Sequence, residues 1–163
     1  MGDNAPEDCD ATCLFAAATQ SHLVMGGIGD GLLILRREEA PARWVIGPRG
    51  DAFLNDTAGM ASDEGAAVGW HMETVELSRR QDWTVVLATD GVADDLRVDQ
   101  IEGFVDWLVG RHVELSPKSR SAQLRRSLND WPVPHHVDDK TLVVLTSVSK
   151  RRSQRSRSKK GSR

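Results

Sequence analysis

The chain has 163 residues, 39% hydrophobic and 28% charged, enough for one domain with its own core and too few to expect two. No apolar run approaches the roughly 18 residues needed to cross a bilayer, and the acidic start MGDNAPEDCD lacks the basic lead and apolar stretch of a secretory signal, so a cytoplasmic location is expected. The formal net charge of −3 hides an asymmetry: residues 150–163 hold 8 of the 21 basic side chains, leaving residues 1–149 with 13 basic against 24 acidic.

An acidic body without a clustered basic face or a binding motif argues against nucleic acid as the main partner. The basic tail from Ser149 to Arg163 is the exception; it suits nucleic acid, an anionic surface or an acidic protein, or serves only as a solubilising extension. Cys9 and Cys13 are the only cysteines, too few for a disulfide framework, and read as small buried or half-buried side chains. The five Trp are scattered along the chain and form no stacking platform for bases.

From Ala11 to Arg37 three apolar runs are separated by Thr19-Gln20-Ser21 and Gly29-Asp30-Gly31, which predicts a meander of three strands. Residues 11–18 are alanine-rich and equally suit a helix. Trp44-Val45-Ile46 reads as a fourth strand, residues 47–69 as a long loop, His71 to Leu77 as an alternating strand and Thr84 to Ala88 as a buried one. Asp99 and Glu102 suggest a capping pair for a helix whose buried face carries Ile101, Phe104, Val105 and Leu108. Ser116-Pro117 opens a second helix reaching Leu128, and Lys140 to Val148 is the last strand. This order predicts an α+β fold with mostly antiparallel sheets. Its divisions are an acidic lead over residues 1–10, a domain over 11–148 and a basic tail, expected to be disordered, over 149–163.

Asp90-Gly91 ends one strand and Asp138-Asp139 precedes another. If these strands are antiparallel neighbours, Asp90 and Asp138 meet at one edge, where hard oxygen ligands suit Mg²⁺ or Mn²⁺. Ordinary turn chemistry accounts for the same residues without a metal. His135-His136 invites a zinc or iron site but lacks a completing cluster and reads as an exposed pair in a proline-bounded loop. His22, His71 and His112 are isolated and read as surface or partly buried side chains.

Taken in order, ATCLFAAAT, HLVMGGIGDGLLILRR, VVLATDGVADDL and DDKTLVVL resemble the C-terminal part of the protein phosphatase 2C class of metal-dependent serine/threonine phosphatases. The segment GDAFLNDTAGM resembles the GEYANET region of a bacterial branch of that class. The resemblance spans roughly residues 11–148. It implies a β-sandwich flanked by helices, with Mg²⁺ or Mn²⁺ at one end lowering the pKa of a water that attacks a phosphomonoester. On it, Asp90 and Asp138 look like metal ligands, Asp30 like a peripheral ligand for a third metal, and Asp94 like a supporting acid. The implied partner is a phosphorylated protein substrate.

The family's N-terminal part carries a phosphate-binding Arg, a nearby acid and an Asp-Gly whose carboxylate bridges the metals; none is found in this sequence. Two expectations therefore stand. The chain is an N-terminally incomplete phosphatase, inactive or weakly active as it is, or it is a non-catalytic phosphatase-like module that binds a protein partner.

Overall fold

The runs Leu32-Leu33-Ile34-Leu35 and Val85-Val86-Leu87-Ala88 are too continuously apolar for strands with one wet face. In the computed structural model they are adjacent strands inside a four-stranded sheet, covered on both sides. The structure describes residues 11–38, 40–47, 69–78, 81–110, 115–131 and 138–147. The strands are β1 (Cys13–Ala18), β2 (His22–Ile28), β3 (Leu32–Arg37), β4 (Ala40–Ile46), β5 (His71–Glu76), β6 (Trp83–Ala88) and β7 (Leu142–Ser147). The helices are α1 (Asp90–Ala93), α2 (Ile101–Gly110), preceded by one 3₁₀ turn (Val98–Gln100), and α3 (Pro117–Asn129).

One sheet has the order β1-β2-β5 and the other β4-β3-β6-β7, with every described pairing antiparallel. The fold is thus α+β, with two antiparallel sheets and few helices. Leu23 and Met25 from the first sheet pack against Leu33, Leu35, Val45, Val85 and Leu87 from the second, which makes the two sheets a sandwich. The alternate residues Leu32, Ile34, Val86 and Ala88 face the other way, onto Val92, Ile101, Val105 and Leu108 of the helical layer.

The three-strand meander expected from Ala11 to Arg37 is not formed, because β3 lies in the other sheet. Gly29 takes φ +108°, a backbone conformation that side chains disfavour, and the turn Gly29-Asp30-Gly31 carries the chain across the sandwich. A run apolar on both faces gains most where it is covered on both, and among the described residues only the second sheet has helices against it. The alanine-rich β1 is a strand despite its helical propensity, since its pairing with β2 and the burial of Leu14 and Ala16 outweigh that preference.

The capping pair expected of Asp99 and Glu102 is also replaced. Asp99 pairs with Arg97, while the Glu102 carboxylate accepts from the Ala42 backbone N–H and pairs with Arg36. Arg36 further pairs with Asp106, so α2 is fastened to β3 and β4 by charge as well as by its apolar face. Ser116 caps α3 as expected, its side chain accepting from the Ser119 N–H at 3.3 Å with Pro117 in the first turn. The Trp131 indole N–H donates to Asp95 at 2.7 Å, tying the end of α3 to the segment after α1. Most of the 47–69 loop, the GDAFLNDTAGM segment, Cys9, His112, His135-His136, residues 1–10 and the tail lie outside the described residues. No helix among the described residues is long and apolar enough to cross a membrane.

Ile34 is fully buried between β4, β6 and the helices. Ile34→Ala is expected to lower unfolding free energy by about 2–5 kcal/mol, read by urea titration. A loss well under 1 kcal/mol would contradict burial of β3 on both faces.

Candidate functional site

The antiparallel register pairs Ala88 with Leu142, so the end of β6 and the start of β7 leave the core together. One residue beyond that pair the two chains clasp each other through threonine. The Thr89 N–H donates to the Thr141 carbonyl at 3.2 Å, and the Thr141 N–H donates to Thr89 Oγ1 at 3.0 Å. The Thr89 hydroxyl in turn donates to the Asp139 carbonyl at 3.1 Å. This clasp holds the segments carrying Asp90 and Asp138 side by side.

Gly91 sets how close they come. A Cβ at this position would stand 2.5 Å from the Asp139 carbonyl oxygen and 3.3 Å from Asp138 Cβ. Only a residue without a side chain lets the first turn of α1 lie against the Asp138-Asp139 backbone. Asp90 is the first residue of α1 and is half-buried, with Oδ1 accepting from the Gly91 N–H at 2.7 Å. Asp138 is exposed; its Oδ1 accepts from the Asp139 N–H at 3.1 Å, and its carbonyl accepts from Lys140 Nζ at 3.3 Å. Each carboxylate is braced by the next residue's backbone.

Asp30 sits in the turn between β2 and β3 at the same end of the sandwich, two residues before Leu32, which pairs with Ala88. Gly31 touches the Ala88 carbonyl, where a Cβ would stand 2.7 Å away, so this turn lies against the end of β6. The Asp94 N–H donates to the Asp90 carbonyl at 2.9 Å and closes α1. The structure therefore gathers Asp30, Asp90 and Asp138 on one rim and sets the Asp90 and Asp138 segments in direct contact. Among the described residues, no three His, Cys, Asp or Glu side chains converge into a ready cage. The donor chemistry, carboxylate oxygens only, fits Mg²⁺ or Mn²⁺ rather than a soft metal. Sequence reading gave no role to Thr89 and Thr141; their signal was their place beside each aspartate, meaningful once the register was known.

The described residues thus form a two-sheet sandwich with helices against its larger sheet and aspartates at one end. The family model "Protein phosphatase 2C" matches residues 1–129. The chain belongs to the protein phosphatase 2C family. Its fold is similar to crystal structures of bacterial serine phosphatase. One bears an arginine-to-alanine substitution, with TM-score 0.54 and 18% identity over 85% of this chain and 53% of that one. Another bears an arginine-to-lysine substitution, with TM-score 0.55 and 16% identity over 85% of this chain and 57% of that one, and a third, described without a substitution, gives the same values. The chain spans little more than half the length of these structures. No curated protein matches it.

Gly91→Ala is expected to push the Asp138-Asp139 backbone away, costing about 1–3 kcal/mol in stability and shifting the amide resonances of Asp138 to Thr141. A variant with unchanged stability and an unperturbed spectrum would show that the two segments are not in contact.

Proposed function

We propose that this chain is a metal-dependent phosphoserine/phosphothreonine phosphatase-type domain whose carboxylate rim, Asp90 and Asp138 with Asp30 assisting, holds Mg²⁺ or Mn²⁺. The observation that carries this reading is the Thr89–Thr141 clasp with Gly91 against Asp138-Asp139, which brings two acidic segments together at the mouth of a phosphatase fold. Carboxylate oxygens carried on two touching segments are the donors that a hard divalent cation takes, which gives the rim a reason to bind one. A divalent ion bound there supplies charge neutralisation for a phosphate oxygen and acidifies a water. The chain's own part is to orient two carboxylates and keep their backbone rigid. Because the sequence offers no counterpart of the family's phosphate-binding Arg or bridging Asp-Gly, binding is weak and turnover of a phosphomonoester slow in the 163-residue chain.

A second reading, a phosphatase-like module that binds a protein without catalysis, is favoured by one observation: no three-ligand cage is present among the described residues. Manganese titration separates the two. On the first reading, Mn²⁺ broadens amide resonances near Asp90 and Asp138 ahead of all others, and Asp90→Asn raises the Mn²⁺ concentration needed at least tenfold. Hydrolysis of an aryl phosphate is then slow, Mn²⁺-dependent and reduced by the same substitution. Broadening elsewhere, or none, with no Mn²⁺-dependent hydrolysis, leaves the binding module.

A further inference from the structure

Sequence order hides where the basic side chains collect. Residues 117–129 and 140–163 hold thirteen of the 21 basic side chains and none of the 24 acidic ones, with Asp130, Asp138 and Asp139 standing between the two segments. The first segment is α3, which carries Lys118, Arg120, Arg125 and Arg126. The second is Lys140, β7 and the basic tail that follows it. The fold lays one along the other: a cavity of about 610 Å³ is lined by residues of α3 from Pro117 to Asn129 and by residues from Lys140 to Thr146. Arg120, Arg125 and Lys140 border it together, while Lys118, Arg125 and Arg126 are exposed. A body without a clustered basic face in its sequence gains one when α3 meets β7.

Elsewhere the charges are mixed. The other eight basic side chains are set among all 24 carboxylates, and Arg36, Arg43 and Arg97 are taken up in ion pairs with Glu102, Asp106, Glu73 and Asp99. Thirteen cations with no carboxylate in their own segments repel one another, and a polyanion relieves that repulsion.

The side chains also select the polyanion. Leu124 and Leu128 of α3 pack inward on the core, and residues 149–163 contain no apolar side chain, so neither segment has an apolar face to bury in a bilayer. Neither contains an aromatic residue on which unpaired bases could stack. Eight of the thirteen are Arg, whose planar fork grips a phosphate through two N–H bonds where Lys offers a point charge. Arg155-Ser156-Arg157-Ser158 interleaves these forks with hydroxyls, which are further donors to phosphate oxygens. Closely spaced phosphates with no call on base edges are what a duplex presents, at one charge per about 1.7 Å of its axis. We propose that α3, Lys140 and the segment Ser149–Arg163 form one surface that grips the phosphate backbone of double-stranded nucleic acid without reading its sequence. It acts independently of any metal at the aspartate rim.

Fluorescence anisotropy of a labelled mixed-sequence DNA duplex, titrated with the 163-residue chain in EDTA over a salt series, tests this. Binding is expected at low salt, with log K falling against log salt at a slope of about −5 or steeper, the signature of six or more phosphate contacts. The double substitution R125Q/R126Q on α3 is expected to weaken binding at least fivefold and to make the slope shallower by about 2. R43Q/R97Q removes the same charge outside the surface and is expected to leave affinity within about twofold. In the unsubstituted chain, amide resonances of Lys118 to Arg126 are expected to shift on adding duplex ahead of those of β4 and β5. No binding at low salt, a shallower slope, or a folded R125Q/R126Q that binds as before would each overturn the proposal. Equal weakening by R43Q/R97Q, or α3 resonances that stay in place, would do the same. Tighter binding of polyglutamate or phosphatidylserine vesicles than of duplex at equal salt would assign the surface to an acidic protein or a membrane instead.

Discussion

The antiparallel pairing of β3 and β6 in the middle of the larger sheet is the constraint on which the rest depends. Each strand is apolar on both faces, so the pair must be covered twice, by the smaller sheet on one side and by α1 and α2 on the other. A fully buried Leu, Ile or Val side chain contributes about 1.5–3 kcal/mol, and among the described residues these two strands concentrate the most such side chains. Both helical and sheet layers are therefore placed by one pair of strands. The charged ties, Arg36 to Glu102 and Asp106, are half-exposed and small in energy by comparison. They select how α2 sits, not whether it docks.

The aspartate rim is a by-product of the same pair. β3 starts and β6 ends at one end of the sandwich, so the turn before β3 and the helix after β6 must emerge there. Adding β7 in antiparallel register brings the start of a third segment to the same place. Three segments distant in sequence reach the same end of the sandwich because strand polarity leaves them nowhere else to go. Threonine hydrogen bonds and a glycine without a side chain then fix the spacing of two of them. The 163 residues cover little more than half of the bacterial serine phosphatase structures they resemble.

Most elements were legible in the sequence because their signals are local. The runs at Leu32 to Leu35 and Val85 to Ala88, the Ser116-Pro117 cap and the buried face of α2 each announce themselves within a few residues, and the ordered motifs around Asp30, Asp90 and Asp138 pointed to the family. Where local reading failed, a partner distant in sequence had decided the outcome. Glu102 serves Ala42 and Arg36 instead of a helix cap, and β3 joins the other sheet instead of extending a meander. The sequence by itself determined which segments are apolar enough to be buried and which acids stand at strand ends, since hydrophobicity and turn chemistry belong to the residues themselves. Only the tertiary structure decided that Gly91 lies against Asp138-Asp139, that Thr89 clasps Thr141 and that β3 crosses to the other sheet, because register and the pairing of sheets depend on contacts between residues dozens of positions apart.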